Sequence, residues 1–99
     1  MSKSHYDPLQ VPPAAQKQGG AEILRAAIVN EGLALSVRRG FDDPTAWGLL
    51  LGGIAHEVAH IYAREIGVAE SEALGKIAEA FKNEVASTAA VKPQPQSAS

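Results

Sequence analysis

Residues 42–67, DDPTAWGLLLGGIAHEVAHIYAREIG, read as one long helix with a marked start and stop, and the rest of the fold is arranged around it. Asp43 is placed to cap the free N–H groups of the first turn, Pro44 suits the first helical position, and the acidic charge favours the helix dipole. Gly67 is a natural stop. At 100° per residue, Trp47, Leu50, Leu51, Ile54, Val58, Ile61 and Tyr62 share one broad apolar face, which is expected to cover a sheet. A second strip, Gly48, Gly52, Ala55, Ala59 and Ala63, is uniformly small. Interior glycines each cost roughly 1 kcal/mol relative to alanine, so this strip predicts the close approach of another helix. The stretch from Glu70 to Val85 supplies it, with Leu74, Ile77, Ala78, Phe81 and Val85 at helical spacing.

Upstream, from Ala21 to Arg39, two apolar segments flank Asn30-Glu31-Gly32. The second alternates, with Leu33, Leu35 and Val37 on one side and Ala34, Ser36 and Arg38 on the other, as a strand does. The first, Glu22 to Ile28, pairs with it as a β-hairpin in which Gly32 takes the left-handed position, or else forms a helix stopped at Gly32. With the hairpin, the expected fold is α+β in the order β-β-α-α. Two strands alone are marginal and leave both edges open, so a homodimer with a four-stranded sheet across its two chains is expected.

The 99 residues hold one small domain. Residues 1–20, with Pro8, Pro12, Pro13 and Gly19-Gly20, read as a flexible lead-in, residues 21–86 as the α+β domain, and residues 87–99 as a disordered tail. The net charge is −2 and the basic residues are scattered apart from Arg38-Arg39, which argues against a nucleic-acid partner. Without cysteine there is no disulfide framework and no thiolate metal site. Met1 to Gln10 has no apolar run for a signal or anchor, and Ala46 to Ala55 is too short to span a bilayer, so a cytoplasmic protein with no membrane partner is expected.

Inside the long helix, His56-Glu57-Val58-Ala59-His60 spells H-E-x-x-H. Two histidines one turn apart can reach the same Zn²⁺, and the intervening glutamate can act as base to a metal-bound water. The projection places His56 and His60 opposite Ile54 and Val58, on the face away from the expected core. A competing reading makes this a helix surface on which Glu57 and His60 pair across one turn. A catalytic zinc also needs a third protein ligand. Asn83-Glu84-Val85-Ala86-Ser87 reads N-E-x-x-S, which resembles the glutamate helix of thermolysin-like peptidases. That resemblance implies His56, His60 and Glu84 as ligands and Glu57 as base, and departs from the family at Thr88, where an aspartate would complete the pattern. If the helices fold back around Gly67, Glu84 lies some 6 Å along the axis beyond the level of His56. Glu70 is on the correct side but close to the turn, and Arg64 adds a cation that opposes metal binding.

The glycines match no phosphate loop, and Ser36 and Ser71 have no base guaranteed by spacing. Trp47, in step with Leu51 and Ile54, reads as a core anchor. The run from Phe41 to Leu51, with D-P-x-A-W-G at its centre, resembles a small uncharacterised proteobacterial domain family over roughly residues 21–86. The resemblance implies a compact α+β domain with no assigned activity, ligand or catalytic residue. The resulting expectation is a non-enzymatic domain that needs no cofactor and acts through protein or small-ligand binding. The alternative is a minimal zincin-type metallopeptidase with Glu57 as base and zinc on His56, His60 and Glu84.

Overall fold

The computed structural model describes residues 5–87. Its elements are α1 (Pro13–Gln18), β1 (Leu24–Val29), β2 (Gly32–Val37), α2 (Thr45–Ile66) and α3 (Glu70–Ala86). The α+β, β-β-α-α order is therefore present, with one short helix ahead of it. That helix lies in the stretch read as a flexible lead-in. Pro13 fits the start of a helix, Ala, Gln and Lys follow, and Gly19 at φ 81° ends it. No residue of α1 is buried, which is why no apolar stripe announces it. Of the expected C-terminal tail, residues 88–99 lie outside the described residues.

The hairpin is antiparallel, with Leu24 opposite Val37, Ala26 opposite Leu35 and Ile28 opposite Leu33. Its two-residue turn corrects one detail of the sequence reading. The left-handed positions belong to Asn30 (φ 51°) and Glu31 (φ 69°), while Gly32 opens β2 opposite Val29. Two central residues at positive φ are the mark of a type I′ turn, whose twist matches that of the strands. The alternation gives the hairpin one wholly apolar face, formed by Leu24, Ala26, Ile28, Leu33, Leu35 and Val37. The other face carries Arg25, Ala27, Val29, Ala34 and Ser36.

A short connection then turns the chain into α2. Gly40 sits at φ +72°, and a Cβ there would come within 3.1 Å of the Ile23 side chain, so only glycine suits this bend. Trp47 fixes the junction: its indole Nε1 donates to the Arg39 carbonyl at 2.6 Å, and Phe41 meets its ring edge-on with centroids 6.0 Å apart. Asp43 caps α2 as its sequence position suggests, its carboxylate accepting the Thr45 N–H at 3.0 Å. Gly67 ends the helix in the left-handed conformation, at φ 76° and ψ 12°.

The two helices pack on each other, and the fully closed part of the protein is small. Among the described residues the buried ones are Ala59 on α2 and Ala73 on α3, with Ala55, Val58, Ala63, Leu74 and Ile77 half-buried near them. The small strip of α2 thus works over its C-terminal half. Its N-terminal half does not: a Cβ on Gly48 or Gly52 would meet nothing within 4 Å. The broad apolar face of α2 also departs from expectation. No Cα of either strand comes within 8 Å of a Cα of α2 or α3. Leu24, Leu35 and Val37 near the base of the hairpin are half-buried, but Ile28 is 83 % exposed and Leu33 67 % exposed.

Candidate functional site

α2 presents His56, Glu57 and His60 together, as one helical turn requires, and all three are exposed. The partner of His60 is not Glu57. His60 Nδ1 lies 3.6 Å from Glu70 Oε1, across the turn at Gly67. Glu70 is the first residue of α3, so the short Val68-Ala69 link brings it back beside the last turns of α2. Its closeness to the turn, which counted against it as a ligand in the linear estimate, is what lets it reach. Both side chains are about half exposed, so the pair sits in solvent, where such contacts contribute little to stability.

The structure does not assemble the H-E-x-x-H residues with a third ligand. Among the described residues no group of three or more histidine and acidic side chains is close enough to share a metal ion. Glu84 is near the far end of α3, exposed, and outside any such group. Arg64, one turn beyond His60, is engaged with Glu65 at 3.8 Å. His56, Glu57, His60 and Glu84 are not arranged as three ligands around an open coordination position.

A second cluster was not foreseen from sequence. The Arg25 guanidinium donates to the Tyr6 hydroxyl at 2.7 Å and to both carboxylate oxygens of Glu22, at 3.0 and 2.9 Å. Arg25 also lies over the Tyr6 ring, 5.8 Å from its centroid. The bond to Tyr6, followed by those to Glu22, holds the guanidinium pKa above its already high ordinary value. Nineteen positions separate Tyr6 from Arg25, and nothing in the local pattern at either position indicates the other. The cluster ties the N-terminal segment to β1, beside an open concavity lined by Tyr6, Arg25, Ala27, Ala34 and Ser36.

The largest feature is apolar. Leu49 is 75 % exposed, Leu51, Ile54, Ile61 and Tyr62 are each exposed by more than a third along α2, and Phe81 and Val85 are open on α3. Ile28 and Leu33 add to these exposed apolar side chains on the hairpin. No helix among the described residues is long and apolar enough to cross a membrane.

Comparison with known proteins finds similarity to a protein family and to solved structures. A family described as "Domain of unknown function (DUF5076)" matches residues 8–89. A solved structure from the photosynthetic bacterium Rhodopseudomonas palustrus CGA009, provisionally described as a pyruvate dehydrogenase, is similar at 35% sequence identity and a TM-score of 0.71. The alignment covers 96% of this chain and 100% of that one. Among curated proteins none matches.

Proposed function

The chain belongs to the DUF5076 family of domains of unknown function, and from its open apolar faces we propose that it is a non-enzymatic interaction module working as a homodimer. The observation that carries the reading is the contrast between two small buried residues, Ala59 and Ala73, and the large apolar side chains left in solvent. A chain this short gains its stability from whatever apolar area it covers, at roughly 25 cal/mol per Å². Leaving Ile28, Leu33, Leu49 and Ile61 exposed forgoes much of that gain, and a second copy restores it. The reading takes the fold, not the activity, from the R. palustrus protein.

Within this reading the protein is cytoplasmic, needs no cofactor, and binds neither nucleic acid nor membrane. The scattered basic residues and the net charge of −2 support the absence of a nucleic-acid partner. His56, Glu57 and His60 are surface residues, and the His60–Glu70 contact in place of a three-ligand cluster supports that assignment. Further protein or small-ligand binding takes place on surface that remains open after dimerisation.

Light scattering across a dilution series tests the proposal. The expected result is twice the mass of the chain, dissociating on dilution. A monomer at high concentration would contradict it. Metal analysis of untagged protein addresses the enzymatic alternative: stoichiometric zinc lost in both His56→Ala and His60→Ala would revive the peptidase, with Glu84 or Glu70 as the third ligand to test next.

A further inference from the structure

We infer that two copies join along the free edge of β2, antiparallel, about a twofold axis at Leu35. The inference rests on the homodimeric reading and names its seam. The two-residue turn makes Val29 and Gly32 a hydrogen-bonded pair, and bonded and non-bonded pairs alternate from there. Ala27–Ala34 and Arg25–Ser36 are therefore bonded pairs, and the Arg38 N–H donated to the Ile23 carbonyl at 2.9 Å falls on the same phase. It follows that Leu33, Leu35 and Val37 turn their N–H and C=O groups away from β1, out of the free edge. Across an antiparallel seam, opposed residues must lie on the same face, and a bonded pair needs both members pointing outward. Laying Leu33–Val37 against itself meets both conditions over its whole length. Leu35 then opposes Leu35 of the second copy, and Leu33 opposes Val37 of the second copy.

β1 has an equivalent edge at Leu24, Ala26 and Ile28, and two observations favour β2. First, charges within a strand blunt its edge. β1 carries Arg25, anchored by Tyr6 and Glu22, whereas β2 has no charged residue and no proline from Gly32 to Val37. Second, the β2 register is complementary in charge beyond the strand. It sets Glu31 of each copy opposite Arg39 of the other, with Arg38 next to it, and among the described residues the Arg39 guanidinium otherwise makes a loose, exposed contact with Asp42 at 3.4 Å. The same construction on β1 sets Glu22 opposite Asn30, with no complementary charge. The β2 seam, as a β1 seam would, joins the two apolar hairpin faces on one side of a four-stranded sheet.

The chain contains no cysteine, so single substitutions report the seam directly. A bonded pair places its Cα atoms about 5.5 Å apart, within the range a disulfide spans. Leu35→Cys is expected to form a covalent dimer on mild oxidation, at least tenfold faster than Ala26→Cys, which lies at the far edge of the sheet. Should Leu35→Cys not fold, Leu33→Cys mixed with Val37→Cys should cross-link faster than either alone. Cross-linking through Ala26 but not Leu35 would move the seam to β1 and overturn the inference. No cross-linking at either position in a protein that light scattering shows to be dimeric would overturn the seam while leaving the homodimer. A monomeric mass would overturn both.

Discussion

Where α2 crosses α3, Ala59 and Ala73 are closed off within one chain, whereas on the hairpin Ile28 and Leu33, much larger side chains, stand in solvent. The difference lies in what each surface needs. Small side chains let two helix backbones approach, and a seven-residue span from Ala63 through Gly67 to Ala69 is enough to bring α3 back onto α2. A two-stranded hairpin needs a layer over its apolar face. The helix seam is complete locally; the hairpin and the broad face of α2 are complete only when something else covers them.

Overfilling the closed seam should have the largest effect. Ala59 is fully buried, so Ala59→Leu must push the helices apart, and a loss of roughly 1–3 kcal/mol is expected in urea unfolding. On the open side, Leu33→Ser separates the two states of the hairpin. At an exposed site the change stays within about 0.5 kcal/mol; with the face covered by a second copy it costs about 1.5 kcal/mol or more, and the midpoint shifts with protein concentration. Gly52→Ala probes the N-terminal half of the small strip. Nothing lies within 4 Å of the added methyl group, so a gain of up to about 1 kcal/mol in thermal unfolding is expected. A loss there would mean that a partner packs against it.

The smallest effect concerns the start of α2. The Thr45 N–H holds the Asp43 carboxyl below its ordinary pKa, so as the pH falls the unfolded chain takes up this proton first. The stabilisation is full above about pH 4 and is lost as the pH drops through the lowered folded value. Asp43→Asn keeps a capping side chain and should flatten that part of the acid limb, read as Tm against pH. An unchanged slope would show that the carboxylate bond contributes nothing.

Much of this fold is legible in sequence because its signals are local. Asp43-Pro44 starts α2, Gly67 stops it, and the alternation of Leu33, Leu35 and Val37 marks β2, each through neighbouring residues. The turn is less legible: Gly32 is the usual left-handed residue, but here Asn30 and Glu31 both adopt positive φ and leave Gly32 in the strand. α1 carries no apolar signal in the sequence because it buries nothing. The apolar face of α2 was correctly identified and its cover was not, since a periodicity specifies that a face is apolar and not what lies on it. At the H-E-x-x-H motif, helical spacing correctly placed both histidines on the surface. The His60–Glu70 pair depended on how tightly the chain turns at Gly67, and the Tyr6–Arg25 cluster on a contact between distant segments.

Amide hydrogen exchange at the hairpin edges tests the central claim most directly, because Leu33, Leu35 and Val37 point their N–H groups out of the chain, as do Ala26 and Ile28 on the opposite edge. If a second copy completes the sheet along β2, the amides of Leu33, Leu35 and Val37 exchange slowly, and more slowly as concentration rises, while those of Ala26 and Ile28 exchange fast. Equally fast exchange on both edges at every concentration would contradict the account.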